Sequence, residues 1–220
     1  MPSATAAGDF DKALNLLIHD LRAPLSVAHG YLRLIRERRL SSDDDRDKAI
    51  EETIESLGRM ARLCDEAASY LAASSTAPRA AGSTPVPAFL GRLADDTRLA
   101  GARLEIDGPS ADSLRLAVAA DLAIAVATII AALGGVQARG GAASVEASVD
   151  GGEIRIMAGD DAGRRRLLSD APLAPDPWRG GHGLALPLAC LEVASAGGRV
   201  WTVSAARAVG VALPLERATP

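Results

Sequence analysis

Apolar residues recur at alternating spacings of four and three along the first third of the chain. In the first segment they are Leu14, Ile18, Leu21, Leu25, Ala28, Leu32 and Ile35. After a polar stretch at 41–45, the pattern resumes with Ile50, Ile54, Leu57, Ala61, Cys64, Ala68 and Leu71. This spacing puts each set on one side of a helix, so the sequence predicts two helices, each with an apolar stripe. The short connection predicts that they run antiparallel as a hairpin.

A single hairpin of this kind has more apolar surface than it can bury. Each helix carries its stripe, and Leu17, Leu34, Leu63 and Tyr70 flank the stripes. Two hairpins side by side can bury all of it as a four-helix bundle. The sequence therefore predicts a homodimer. The alternative is that the hairpin packs on the rest of its own chain.

Composition divides the chain into three parts. The hairpin occupies 9–73, and a stretch rich in Ala, Ser, Thr, Gly and Pro at 74–87 is predicted to be a linker. Beyond it, at 88–217, short strands alternate with helices, including an Ala/Ile/Val-rich helix at 121–138. The stretch 160–181 is predicted to be irregular. The predicted fold class is therefore α+β, a helical hairpin followed by a layered α/β sandwich.

The charge and residue content exclude several classes of protein. The net charge is −4 and aromatic residues make up 3% of the chain, which argues against a nucleic-acid partner. No apolar run reaches the roughly 18 residues of a membrane span, so no membrane partner is expected. Cys64 and Cys190 do not have the spacing of a metal site. We expect a cytoplasmic protein without a metal site of its own.

One of the three histidines, His19, lies on the polar side of the first predicted helix. Its neighbours there are Asn15, Arg22 and Ser26 at helical spacing. An exposed imidazole is a nucleophile whose neutral form is abundant near neutral pH. Asp20 could orient the ring, and Arg22 could offset the charge of a phosphoryl group. Because an exposed histidine is also an ordinary surface residue, the surrounding motif has to decide between the two interpretations.

The motif His19-Asp20-Leu21-Arg22-Ala23-Pro24-Leu25 resembles the phosphoacceptor box of bacterial two-component sensor histidine kinases. The hairpin resembles their dimerisation and histidine phosphotransfer domain, with 59–66 similar to its second helix. The resemblance implies that His19 and Asp20 are the catalytic residues. It also makes Asn15, Arg22 and Ser26 candidates for contact with a partner. Pro24 inside a helix costs about 3 kcal/mol or more, which favours a functional kink beside His19.

The C-terminal half resembles the ATP-binding domain of the same family only in part. The stretch 180–186 is similar to the second glycine box, and Asp160 matches the aspartate that reads adenine. Asp160, Gly181 and Gly183 are thus the predicted remains of a nucleotide site. The family's asparagine box falls on 128–133, where Ala132 stands at the Mg²⁺-ligand position, and no asparagine follows Asn15. Because a methyl group cannot coordinate Mg²⁺, the resemblance implies that ATP binding is lost and no cofactor is held.

These features favour a histidine phosphotransferase that passes a phosphoryl group between receiver-domain aspartates through His19. Its expected partners are response-regulator receiver domains, which bring their own Mg²⁺, a second copy of the chain, and a sensor or hybrid histidine kinase as a further candidate. Ala23 stands where family members with phosphatase activity carry Thr or Asn, which favours transfer over hydrolysis. Two alternatives stay open. One is a non-catalytic regulator that binds a kinase or response regulator, and the other is an unorthodox sensor histidine kinase.

Overall fold

The chain divides into two compact units in the computed structural model. The described residues are 4–75, 82–99, 103–107, 113–134, 144–178, 183–204 and 207–216. Unit 1 comprises Met1–Ala72 together with Trp178–Leu184, and unit 2 comprises Ala73–Pro177 together with Ala185–Pro220. Within the described ranges, no helix is both long and apolar enough to cross a lipid bilayer.

Unit 1 is built on two long helices, α1 (Ala4–Arg36) and α2 (Asp43–Ser75). The chain between them is short, as a helical hairpin requires. Ser42 caps α2, because its Oγ accepts a hydrogen bond from the Asp45 backbone N–H at 3.1 Å. The three aspartates of the first turn of α2 add negative charge at its positive end. Both helices therefore form where the apolar spacing predicts them.

The contact inside the hairpin uses mainly small side chains. The buried residues on the two helices are Ala13, Pro24, Ala28, Ala49, Thr53, Ser56 and, as the large exception, Tyr70. Leu21 and Ile35 of the apolar stripes are partly buried. The other large stripe residues are 40% to 63% exposed in the single chain: Leu14, Ile18, Leu25, Leu32, Ile50, Ile54, Leu57 and Leu71. The buried positions of the hairpin are thus mostly small residues, and most of its apolar stripes stay exposed.

Unit 2 contains a five-stranded sheet and a separate two-stranded pair. The strands of the sheet are β2 (Arg103–Asp107), β4 (Ser144–Asp150), β5 (Glu153–Gly159), β6 (Arg199–Thr202) and β7 (Val209–Pro214). Their order across the sheet is β2-β4-β5-β7-β6, with β2 and β4 parallel and all other neighbours antiparallel. The short pair joins β1 (Thr84–Pro85) to β3 (Arg115–Leu116) in antiparallel register. Gly151 and Gly152, with positive φ angles of 58° and 89°, form the two-residue turn between β4 and β5.

Helices cover both faces of the unit 2 sheet. The unit contains α3 (Val86–Ala94), α4 (Leu122–Leu133), α5 (Asp161–Ser169) and α6 (Ala185–Ser195), with a 3₁₀ turn at Thr97–Leu99. α3, α4 and α6 share the main core with Ile154, Ile156 and other strand residues. Met157, which points to the opposite face, packs with Leu167 of α5 in a smaller cluster. The predicted α+β fold is confirmed.

The predicted linker at 74–87 is too long at its C-terminal end. Thr84–Pro85 forms β1, and α3 begins at Val86. Thr84 is buried and its Oγ1 donates to the Val118 carbonyl at 2.7 Å. The prolines that suggested a linker suit a helix start, because their fixed φ matches the first turn and the missing N–H is not needed there. Residues 76–81 lie outside the described part of the chain.

The stretch 160–181, predicted to be irregular, contains α5. The helix is short and buries only Gly163 and Leu167, so it has no apolar periodicity to reveal it. Leu173 then pairs with Thr202 in an isolated bridge at the sheet edge. In the predicted helix at 121–138, α4 ends at Leu133, and residues 135–138 lie outside the described part.

Candidate functional site

His19 is a solvent-exposed side chain on α1 that is held by the next residue. Its side chain is 81% exposed, and its Nδ1 lies 2.9 Å from Oδ1 of Asp20, whose side chain is 23% exposed. An ionised carboxylate can only accept a hydrogen bond, so Nδ1 donates. In the neutral ring the lone pair is then on Nε2. The pair therefore presents one nucleophilic nitrogen in a defined tautomer.

The three residues predicted to contact a partner all lie exposed on α1 near His19. They are Asn15, Arg22 and Ser26, and the Ser26 Oγ donates to the Arg22 carbonyl oxygen at 2.8 Å. Helical spacing puts them on the side of α1 that carries His19. The surface around the imidazole is thus polar and accessible, and the role of these residues in partner contact stays a prediction.

Pro24 lies inside α1 and is buried. It has no backbone N–H, so it cannot donate the usual helical hydrogen bond to the carbonyl four residues earlier. That carbonyl belongs to Asp20, the residue that holds the His19 ring. The predicted irregularity beside His19 therefore falls on the turn that carries the His19–Asp20 pair.

Gly183, one of the predicted nucleotide-site residues, lies against the hairpin within unit 1. A Cβ on Gly183 would sit 2.9 Å from Glu66 Oε2 on α2 and 3.9 Å from Asp20 Oδ2 on α1. The φ angle of Gly183 is +55°, a conformation that favours glycine. Gly183 and Leu184 form a turn, hereafter the 183–184 turn. The structure thus brings Gly183 together with the His19–Asp20 pair.

Glu66 accepts a hydrogen bond from the 183–184 turn and interacts electrostatically with Asp20. Burial raises the pKa of the Glu66 carboxyl, and the nearby Asp20 carboxylate raises it further. A hydrogen bond from the Leu184 backbone N–H and the Arg62 guanidinium lower it in part. The balance leaves the pKa of Glu66 above its ordinary value. In the sequence, Glu66 is only part of the stretch 59–66, and no local pattern indicates its contact with the 183–184 turn.

A second contact to the hairpin is made by Trp178. Its ring meets that of Tyr70 edge-on, with centroids 5.9 Å apart and planes at 75°, and Lys12 Nζ lies 5.8 Å from the Trp178 ring centroid. Burial raises the pKa of Tyr70, and the Asp9 carboxylate adds to this shift. No local pattern in the sequence indicated that Trp178 packs on α1 and α2, because the two regions are far apart in the chain.

The other predicted nucleotide residues belong to unit 2. Asp160 caps α5, and its Oδ1 accepts a hydrogen bond from the Gly163 N–H at 2.6 Å. Gly181 lies outside the described residues. On α4, Thr128 accepts a hydrogen bond from Arg98, and Ala132 packs against the main core. Among the side chains that the structure describes, no group of three or more His, Cys, Asp or Glu residues could hold a metal.

The cap formed by Asp160 leads to a stability prediction. Asp160→Ala leaves the Gly163 N–H without its acceptor, so we expect unit 2 to lose about 1 kcal/mol of unfolding free energy. Asp160→Asn keeps an acceptor and is expected to lose little. Urea unfolding of both variants measures the difference. Equal losses in the two variants would contradict the assignment of Asp160 as a helix cap.

Structural comparison places histidine kinases among the neighbours of this chain. The Acinetobacter baumannii histidine kinase AdeS aligns with a TM-score of 0.55 over 90% of this chain and 98% of its own, at 12% identity. Full-length ShkA, in complex with AMPPNP, aligns with a TM-score of 0.52 over 96% of this chain, at 18% identity. This chain covers only 47% of ShkA. A bacterial phosphotransferase aligns over 97% of this chain and 98% of its own at 15% identity, but its TM-score of 0.39 is too low for an argument.

These alignments concern the fold. No protein-family model matches the sequence, and no curated protein does. The structural neighbours confirm the resemblance at the level of architecture: this chain has the fold of histidine kinases, an N-terminal helical hairpin followed by a sheet domain.

Proposed function

We propose that this protein is a cytoplasmic histidine phosphotransferase that relays a phosphoryl group between the aspartates of two receiver domains. The observation that carries this proposal is the His19–Asp20 pair. It combines an 81% exposed imidazole with a carboxylate that fixes its Nδ1 at 2.9 Å. The surrounding exposed residues Asn15, Arg22 and Ser26 form the proposed contact surface for the receivers.

The proposed reaction transfers a phosphoryl group from a carboxylate oxygen of the receiver to a nitrogen of His19. The lone pair of His19 Nε2 attacks the phosphorus of the receiver's aspartyl phosphate, the P–N bond forms and the P–O bond breaks. The electron pair of the broken bond leaves on the receiver's carboxylate. Nδ1 keeps its proton, and the Asp20 carboxylate balances the positive charge of the phosphorylated ring. The reverse step onto a second receiver restores the neutral imidazole.

In this proposal the receivers, and not this chain, supply the ion that neutralises the phosphoryl oxygens. Transfer from ATP would need Mg²⁺ ligands and a phosphate cradle. The helix matched to the asparagine box, α4, is apolar at most positions and carries Ala132 at the expected ligand position. Asp160, the expected adenine ligand, serves as a helix cap. These residues support a nucleotide site that no longer binds ATP.

The relay is tested by mixing the purified protein with phosphorylated receiver domains. We expect acid-labile label to appear on this chain at His19 and then to pass to a second, unphosphorylated receiver. Incubation with labelled ATP and Mg²⁺ alone is expected to give no label. If none of the receivers encoded in the source genome exchanges label with this chain, the proposal is wrong.

The alternative that the structure itself favours is an ATP-dependent histidine kinase, because AdeS and ShkA are kinases with this architecture. The two proposals differ in one measurement. Calorimetry with ATP and Mg²⁺ is expected to show no binding by a phosphotransferase, whereas a kinase would bind in the micromolar range. Binding together with labelling of His19 by ATP would establish the alternative.

We further propose that the chain works as a homodimer through its apolar stripes. The large stripe residues are exposed in a single chain, up to 63% at Ile54. A patch of this kind along two adjacent helices is typical of a surface that another protein covers. The second copy fits because its identical stripes complete a four-helix bundle by two-fold symmetry.

This proposal predicts that Ile54→Lys dissociates the dimer. Each copy would bury an unpaired ammonium in an apolar interface, so we expect the dissociation constant to rise by about 100-fold or more. Light scattering after size exclusion measures the mass. Ser69→Lys, an exposed position on α2 outside the stripe, is the control and is expected to stay dimeric. A monomeric wild type, or an unchanged mass in Ile54→Lys, would refute the interface.

A further inference from the structure

Glu66 occupies the point where α1, α2 and the 183–184 turn meet within unit 1. Its Oε2 lies 2.9 Å from the position that a Cβ on Gly183 would take, and Asp20 Oδ2 lies 3.9 Å from the same position. This oxygen is buried, and no described residue gives it a hydrogen bond. Leu184, itself only 2% exposed, donates its backbone N–H to the Glu66 carboxyl. The turn therefore lies against a carboxyl group in which one oxygen has no hydrogen-bond donor among the described residues.

The groups that face Glu66 make its ionised form unfavourable in this position. Asp20 on α1 repels a negative charge, whereas Arg62 on α2 and the Leu184 N–H attract it. A buried carboxylate oxygen without a donor loses its hydration and gains nothing in return. A proton on the carboxyl removes both the repulsion and this loss. Contact with the turn and protonation of Glu66 should therefore favour each other.

We propose that Glu66 is a positioning residue for the His19–Asp20 pair: protonated, it seats the 183–184 turn against the Asp20 carboxylate, and ionised, it releases the turn. The seated turn keeps Asp20 largely out of water, at 23% side-chain exposure. A hydrogen bond is stronger where the local dielectric is low, so the seated turn strengthens the bond that His19 Nδ1 donates to Asp20. This inference rests on the proposed function only for its effect on phosphoryl transfer.

The direction of the pH dependence follows from the raised pKa of Glu66 in the seated state. Burial is the main cause of this shift. The released carboxyl has its ordinary pKa. Seating is therefore fully favoured below that ordinary value, and it is lost as the pH rises through the higher pKa of the seated state.

The first test follows the backbone amides of Gly183 and Leu184 by ¹⁵N NMR across a pH titration of the full chain. In the wild type we expect both amides to shift together, with a midpoint above the ordinary glutamate value of 4.5. In Glu66→Gln, which mimics the protonated group, this titration should disappear and the seated shifts should persist. The same titration in Glu66→Gln, or a midpoint at or below the ordinary value, would overturn the proposal.

Two further variants separate Glu66 from its surroundings. Asp65→Asn removes an exposed carboxyl next in sequence and is expected to leave the titration of the turn unchanged. Gly183→Ala places a methyl group against Glu66 Oε2 in a left-handed backbone conformation, so we expect released shifts at every pH. Seated shifts in Gly183→Ala would contradict the packing on which the proposal depends.

The second test compares the rates at which wild type and Glu66→Gln accept a phosphoryl group from one receiver. The ratio of the two rates cancels every pH effect that the two proteins share. We expect a ratio near one below the midpoint and a severalfold lower wild-type rate above it. If the NMR titration is as expected but the ratio of rates does not change with pH, the turn moves without affecting His19. That result would overturn the positioning role. If neither protein accepts a phosphoryl group, the proposed function fails, and the NMR titration still decides whether Glu66 seats the turn.

Discussion

His19→Gln is expected to accept no phosphoryl group from any receiver that labels the wild type. Glutamine keeps a polar side chain at this exposed position of α1 but has no nucleophilic nitrogen. Because the His19 side chain is 81% exposed, its replacement removes little packing and should leave the unfolding free energy nearly unchanged. The loss of label can therefore be separated from a loss of fold. Scintillation counting of the separated chains after acid and alkaline treatment measures it.

Two matched variants sharpen this experiment. His29→Gln removes another exposed histidine from the same helix and is expected to keep full labelling. Asp20→Asn can still accept the Nδ1 hydrogen bond but lacks the charge that balances the phosphorylated ring, so we expect transfer to slow by about 100-fold. If label persists in His19→Gln, or disappears in His29→Gln, the assignment of the chemistry to His19 is wrong.

Gly210→Ala is expected to destabilise unit 2 by about 2 kcal/mol. Gly210 of β7 lies directly across from Trp201 of β6, and an added Cβ would overlap the indole ring. The ring cannot turn aside cheaply, because Arg199 lies 5.4 Å from its centroid and its Nε1 donates to the Leu167 carbonyl at 3.4 Å. A fall of several degrees in the thermal midpoint should follow.

The same chemical change at Gly91 should have the opposite sign. Gly91 lies exposed on α3, and a Cβ there would meet nothing within 4 Å. Because alanine favours the helix, Gly91→Ala is expected to gain up to about 1 kcal/mol. In a Trp201→Ala background there is no ring to overlap. Gly210→Ala should therefore lower the unfolding free energy less in that background than it does in the wild type. Equal effects at the two glycines would show that the Trp201 contact is not the cause.

The sequence predicted the elements whose signals are local. The four-three spacing indicated both hairpin helices. α5 was missed because it buries only Gly163 and Leu167, too few positions to show a helical period. The match of Asp160 to an adenine-reading aspartate rests on the family resemblance alone, and the structure shows the same side chain as the cap of α5.

The candidate site was predictable only where its residues are neighbours in sequence. His19 and Asp20 are adjacent, and Asn15, Arg22 and Ser26 follow from helical spacing. Glu66 meets Gly183 and Leu184 across more than half of the chain, so no spacing rule could indicate the contact. Gly183 was predicted from the glycine box alone, and its close approach to Glu66 is visible only in the structure.

Pro24 makes one turn of α1 easier to open than the rest of the helix. Without a donor at residue 24, the Asp20 carbonyl is free to bind water or a partner's N–H directly beside the nucleophile. Amide hydrogens in this turn should exchange with deuterium faster than those one turn away on either side. The helix can then bend locally at the histidine while its two ends stay rigid, which allows one bundle to fit receivers of slightly different shape.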